Sequence, residues 1–437
     1  MPRVAIIYPY FRTRSSTEIL FAPLGAANLV RQLRALGIDS KVFDCTFINI
    51  RTLKNLLKDY QPGIVGIYSM VTLSKNAFQI VEMVRTYFPN CLLVAGGPMP
   101  TLYSEIYATR FDAIFRGESD LSFPLFCRDV FIEKITGSKL ETLPLETYPG
   151  LYIHNQNFQM ENPTVHYKES VIQSFPFPDR SDFDHQTYQK EWLKKEGSKT
   201  TSIITTLGCS FNCDFCSKPI FGNVFRRRNI DTIFEEITDI IDLGYDSLWI
   251  ADDNFTLDPQ HLTEFCLRIA NLKISWSCLS RTTGIDSSIV ALMKESGCKR
   301  VHLGLESGSQ ATLDLMNKQT TVEEGINAVN LFRKAGIEVT AFFIVGYPGE
   351  TMNSIEETFR FAMLLPINDF SFNVPFPLLG SKLFQRVTEL NPNQDWLEEN
   401  EVTFVYKSEF DPAWIKHRIQ QTMKTIKERK ESLIRIR

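Results

Sequence analysis

Three cysteines carry the strongest chemical signal in this 437-residue chain. The run Leu207-Gly208-Cys209-Ser210-Phe211-Asn212-Cys213-Asp214-Phe215-Cys216 spaces them as C-x3-C-x2-C, directly after the β-rich segment 202–206. Gly208, Ser210 and Asn212 mark a loop rather than a core strand. One loop at this spacing can wrap a cube of iron and sulfide, three thiolates holding three irons of a [4Fe–4S] cluster and leaving the fourth iron open to a chelating substrate. A structural zinc site is the competing reading, but zinc wants four protein ligands and no second Cys or His pair lies nearby. Cys45, Cys91 and Cys127 stand singly near strands and read as small buried hydrophobes.

The cysteine loop belongs to a larger pattern, in which polar and glycine-rich turns recur at the ends of short apolar runs. In the first part of the chain these turns are 9–11, 68–72, 96–101 and 116–120, with Gly96-Gly97 and Gly117-Glu118 as the points where backbone can approach a ligand closely. After the cysteines they are Asp252-Asp253-Asn254, Ser280-Arg281, Glu306-Ser307-Gly308 and Gly346-Tyr347-Pro348-Gly349-Glu350.

Those turns must be held by strands and helices, and both are readable. Strands are expected at 4–8, 40–44, 64–69, 92–95 and 113–116, with helices at 25–36, 50–60, 74–88 and 120–132. This is a doubly wound α/β domain over residues 1–135, whose ligand crevice lies beyond the strand carboxyl ends. Residues 136–198 read as a linker rich in proline, with a small hairpin of 151–154 and 165–168, solvated histidines 154 and 166, and an extended crossing at 175–180. From 199 to 390 strands at 247–251, 274–279, 300–304, 339–345 and 370–373 alternate with helices at 230–243, 259–270, 287–295, 322–335 and 354–364. With the cysteine-bearing strand they make six βα units, a partial barrel with its active groups at strand carboxyl ends. Residues 391–437 read as a C-terminal helical segment, its stretch 415–437 capping the barrel.

A net charge of −4 gives no basic field for nucleic acid, and no run of 18 apolar residues could span a bilayer. The apolar stretch at the N-terminus is too short for a signal peptide, and nine cysteines are too few for a disulfide scaffold, so a cytoplasmic protein is expected. Arg226-Arg227-Arg228 is the only dense basic run, readable as a solvated turn or as a hold for an anionic group or a reductant's acidic surface. No G-x-G-x-x-G follows the first strand and no Walker loop is present.

The cysteine loop and the strand ends that follow it resemble the radical S-adenosylmethionine superfamily, and the first domain resembles the cobalamin-binding domain that precedes such a barrel in one branch of it. The resemblance implies a [4Fe–4S] cluster on Cys209, Cys213 and Cys216 and S-adenosylmethionine on its open iron, cleaved to a 5′-deoxyadenosyl radical by an electron from a low-potential donor such as flavodoxin or ferredoxin. By the same resemblance Phe215 packs beside the adenine, Asp252 and Asp253 meet the methionine amino group, Arg281 its carboxylate, Glu306 and Ser307 the ribose, and Gly346 and Pro348 the adenine side. Cobalamin would lie along Tyr10, Ser69, Met70, Val71, Thr72, Gly96, Gly97, Thr101, Gly117 and Glu118. Met99 stands where many members carry histidine, and no Asp-x-His-x-x-Gly exists, so the cobalt is expected to carry no protein imidazole, with its lower face against 70–72. The implied activity is C-methylation of an unactivated carbon in an unidentified small molecule or protein side chain. Oxidative cyclisation or ring contraction, a cobalamin sensor, and a barrel enzyme without cobalamin are the alternatives.

Overall fold

The structure, a computed structural model, describes residues 3–12, 20–135, 137–155, 158–216, 222–387 and 407–435. The expected segments 388–390 and 391–406 lie outside the described residues, as do 436 and 437. Strand β1 (Arg3–Tyr8) shows why the first sheet was legible. Val4 and Ile6 enter one apolar cluster and Ala5 and Ile7 another, so both faces are covered and the strand reads as a continuous apolar run. Strands β2 (Asp39–Asp44), β3 (Ile64–Tyr68), β4 (Leu92–Gly96) and β5 (Ala113–Phe115) lie parallel to it in the order β2-β1-β3-β4-β5. The order reverses between β1 and β3, the place where such sheets open a ligand crevice.

The sheet does not stop at residue 135. Strand β6 (Leu151–His154) pairs antiparallel with β5, and β7 (Gln159–Glu161) pairs antiparallel with β6, giving seven strands. The hairpin's second strand is thus 159–161 rather than the expected 165–168. It is an edge with Gln159 and Glu161 exposed, so it carries no apolar alternation to read. The linker also contains a helix, His185–Glu196, which the sequence reading did not expect. Asp184 caps it by accepting from the Thr187 N–H, and Gly197 ends it in the left-handed region. Tyr188 and Trp192 are its buried residues, too few for a visible helical period.

The second sheet has strands β8 (Thr200–Ile203), β11 (Ser247–Ile250), β12 (Ser275–Ser280), β13 (Cys298–Glu306), β14 (Glu338–Ile344) and β15 (Asp369–Asn373), all parallel and in sequence order. Between β8 and β11 sits the short antiparallel hairpin of β9 (Thr206–Leu207) and β10 (Arg226–Arg227). Helices return the chain on the outside, several fixed by side-chain caps: Asn229, Asp258 with Pro259 following, Asp286, and Thr321 in a reciprocal capping box with Glu324. Ile203, Leu248, Trp276, Val301 and Val339 from the strands pack with Ile237, Phe265 and Phe332 from the helices in one core. A parallel sheet wrapped this way leaves its strand carboxyl ends free for chemistry.

Candidate functional site

Cys209, Cys213 and Cys216 are partly exposed, whereas the other six cysteines are buried. The loop carrying them is fixed at both ends. Gly208 has φ +79°, and a Cβ there would collide with the Val224 carbonyl, so only glycine lets the chain turn into Cys209. Its N–H donates to Asp253 Oδ2 at 3.1 Å. Further on, the Cys216 N–H bonds the Cys213 carbonyl at 3.2 Å, the Asp214 N–H the Met316 carbonyl at 3.0 Å, and Asn317 Nδ2 the Asn212 carbonyl at 2.7 Å. The Asp214 carboxylate pairs with Arg386 at 2.5 Å. Among the described residues no three His, Cys, Asp or Glu side chains converge on a single ion.

The barrel mouth gathers part of the expected set. The Arg281 guanidinium donates from Nη1 to Cys213 Sγ at 3.1 Å, lies 3.8 Å from the Phe211 ring centroid, and donates from Nη2 to the Lys318 carbonyl. Glu306 holds φ +62°, an uncommon backbone state for a residue other than glycine, and its carboxylate is bound by Lys318 Nζ at 2.7 Å. Lys318, buried and 5.7 Å from the Phe215 ring centroid, was not singled out in the sequence. Phe215 packs against Met316, Ile344, Tyr347 and Leu383, which brings it to the Gly346–Pro348 turn.

Asp252 and Ser307 are turned elsewhere. Asp252 is fully buried and accepts from the Thr205 N–H (2.6 Å), Thr205 Oγ1 (2.6 Å) and Thr206 Oγ1 (2.7 Å), tying β11 to the start of the cysteine hairpin. Burial pushes its carboxyl up to about 6 despite those donors. Ser307 Oγ meets Thr358 Oγ1 at 2.8 Å and accepts from the Ser309 N–H, so it fixes the helix Met352–Leu364 rather than facing the barrel mouth.

In the first domain, Thr101 joins the two glycine turns: its Oγ1 donates to the Gly97 carbonyl at 2.8 Å and accepts from the Gly117 N–H at 3.0 Å. Gly97 has φ +108°, and a Cβ there would sit 2.7 Å from the Ser69 carbonyl, whereas at Gly96 the nearest atom is the Phe115 carbonyl at 3.8 Å. Ser69 is buried, its Oγ 2.6 Å from Tyr107 Oη, while Met70 at the same strand exit is exposed and Val71 and Thr72 form a short 3-10 turn. Tyr8 stacks near Tyr10 (6.2 Å) and Tyr68 (5.8 Å), and Tyr10 Oη is buried without a partner among the described residues.

A cavity of about 540 Å³ joins the two domains. Tyr68, Gly96, Gly97, Thr101, Gly117 and Asp120 line it from the first sheet, Phe175 and Pro176 from the crossing segment, and Thr206, Leu207, Gly208 and Asp253 from the barrel. It therefore reaches the residue before Cys209. Among the described residues no histidine lines it. A second cavity of about 520 Å³, lined by Asp246, Lys273, Ser275 and Cys298, lies at the opposite end of the barrel, where strands begin, away from the cysteines.

The basic run is neither a solvated turn nor a free anion hold. Arg226 is buried and bound to Glu118 at 2.6 and 2.8 Å, linking the cysteine hairpin to the first domain's Gly117-Glu118 turn. Arg227 pairs with Glu169 at 3.0 Å, and Arg228 with Glu236 at 2.8 Å. Glu236 also takes Arg180 of the crossing segment at 2.5 Å. Glu118 and Glu169 lie 108 and 58 residues from their arginines, beyond a local reading, whereas Glu236 is close to Arg228 in sequence and is bound as well by Arg180 from 56 residues away.

Residues 203–362 match the profile of the Radical SAM superfamily. An uncharacterised methyltransferase of Pyrococcus horikoshii is 28% identical over 374 residues, covering 83% of this chain and 78% of that protein. The anaerobic magnesium-protoporphyrin IX monomethyl ester cyclase of Cereibacter sphaeroides is 26% identical over 422 residues, covering 93% of this chain and 67% of that protein. The fold superposes on that of the radical S-adenosylmethionine methyltransferase TsrM from Kitasatospora setae, solved with cobalamin and a [4Fe–4S] cluster, with a TM-score of 0.70 at 18% identity, over 86% of this chain and 75% of that one. Residues 203–362 form a radical S-adenosylmethionine domain, and the chain as a whole has the two-domain fold of the cobalamin-binding enzyme on which it superposes. That domain makes it an enzyme of the radical S-adenosylmethionine kind. Among the described residues no helix is long and apolar enough to cross a membrane.

Proposed function

We propose that this chain is a cobalamin-dependent radical S-adenosylmethionine C-methyltransferase acting on an unactivated carbon. One observation carries the reading: a single cavity runs from the glycine turns of the first domain to Gly208, beside the first of the three cysteines. When bound, the cluster, S-adenosylmethionine and cobalamin supply the electron, the hydrogen-abstracting radical and the methyl group. Cys209, Cys213 and Cys216 would hold three irons, kept in place by Asp253 on Gly208 and by Arg386 on Asp214. Phe215 and Tyr347 offer an apolar wall suited to an adenine ring, and the Lys318–Glu306 pair sets fixed charges at the carboxyl end of β13. Gly96 and the Thr101-linked turns leave room for the corrin tail. The Glu118–Arg226 bridge holds the two halves at a fixed separation.

A cyclisation reading is favoured by the length of the match to the anaerobic cyclase. The two separate when enzyme reconstituted with iron, sulfide and hydroxocobalamin is reduced in the presence of S-adenosylmethionine labelled in its methyl group. Methylation requires label on the protein-bound cobalamin. Bound cobalamin that never acquires label, with 5′-deoxyadenosine still formed, would favour the non-methylating reaction.

A further inference from the structure

Arg281 was expected to meet the methionine carboxylate. Its surroundings assign it to a different partner. The side chain is only 6% exposed, and among the described residues it has no carboxylate partner. The nearest acid on the next strand, Glu306, is occupied by Lys318 at 2.7 Å. What Arg281 does touch is a cysteine sulfur at 3.1 Å, an aromatic face at 3.8 Å and a backbone carbonyl. Its Nε–H is buried with no acceptor among the described residues. An uncompensated buried cation is costly, and such groups persist when a countercharge belongs beside them. The sulfur at Nη1 is that of Cys213, so the countercharge would be the loaded cluster with its three thiolates.

We propose that Arg281 is a positioning residue of the cluster, donating from Nη1 to the Cys213 thiolate and setting how readily the cluster accepts its electron. One electron enters from an external one-electron reductant, the donor is oxidised by one, and the added negative charge falls beside a fixed cation. Hydrogen bonds to cluster sulfurs and nearby charge are the levers that move such potentials. The proposal rests on the assignment of Cys209, Cys213 and Cys216 to the cluster.

The test is a redox titration of reconstituted protein without S-adenosylmethionine or cobalamin, followed by electron paramagnetic resonance of the reduced cluster. At a fixed applied potential Arg281→Gln should show a reduced-to-oxidised ratio about tenfold below wild type, equivalent to about 59 mV for a one-electron couple. An unchanged ratio, with about four irons per chain retained and weaker binding of S-adenosylmethionine in equilibrium dialysis, would overturn the proposal and return Arg281 to the methionine carboxylate. Should Arg281→Gln hold too little iron to titrate, Arg281→Lys decides, since it keeps the charge and loses the planar fork. A ratio lowered by a smaller factor supports the role, and a ratio identical to wild type overturns it. Wild-type protein that takes up no iron at all would instead remove the cluster assignment beneath it.

Discussion

Glu350 is the residue whose environment makes the sharpest statement about pH. It closes the Gly346–Glu350 turn, accepting from the Tyr347 N–H at 2.7 Å and from Thr312 Oγ1 at 3.1 Å, and burial pushes its carboxyl above the ordinary 4.5 to about 7. A carboxyl raised in the folded state binds its proton more tightly than the unfolded chain does. Stability therefore falls as pH rises from 4.5 to about 7 and is level above that, a loss of about 3 kcal/mol from this one group. Glu350→Gln, which keeps an acceptor and cannot ionise, should flatten that part of the profile in urea denaturation; an unaltered profile would show that Glu350 does not titrate there. At this scale the sequence disclosed the three cysteines and the turn glycines, because loop residues around soft ligands form a local pattern. The acid opposite Arg226 was hidden because it lies in the other domain, while Lys318 and Glu236 were missed although near their partners in sequence, because no helical or strand period pairs them.

Among the elements, the crossing segment and the helix Ile230–Asp242 are held by a buried pair of arginines on one acid. Arg180 and Arg228 both bind Glu236, which is fully buried. Removing the shared acid strands two cations, so Glu236→Gln should cost about 3–5 kcal/mol, read as a lower denaturant midpoint. A loss under about 1 kcal/mol would mean that water reaches the site and screens it. Element by element, the parallel strands were readable because both faces are buried, and most helices because they are amphipathic and capped. Two of the failures share a cause: β7 and the helix His185–Glu196 bury too few side chains to leave a period in the sequence, while the helices Pro98–Leu102, Ser104–Ala108 and Gln310–Leu315 are too short to show one.

For the molecule as a whole, the central matter of the proposed function is that the glycine turns of the first domain and Gly208, the residue before Cys209, line one interdomain cavity. The structure also shows which glycine can be used to block it. Substituting Gly97 strains a left-handed residue against the Ser69 carbonyl and damages the fold, whereas Gly96 has space and lines the cavity. Gly96→Phe should therefore abolish cobalamin retention while leaving iron content and 5′-deoxyadenosine formation near wild type. Loss of iron in that variant would show that the first domain cannot be altered independently of the cysteine hairpin.

The account is tested most directly by measuring whether the two cofactors sense each other. In reconstituted protein holding both, the cob(II)alamin electron paramagnetic resonance signal should lack superhyperfine splitting from a protein nitrogen, since no histidine among the described residues lines the cavity. Reducing the [4Fe–4S] cluster should broaden that signal and speed its relaxation, because the cavity ends at Gly208, adjacent to Cys209. A cob(II)alamin signal that relaxes identically whether the cluster is oxidised or reduced, in protein with both cofactors bound, would contradict a shared active site.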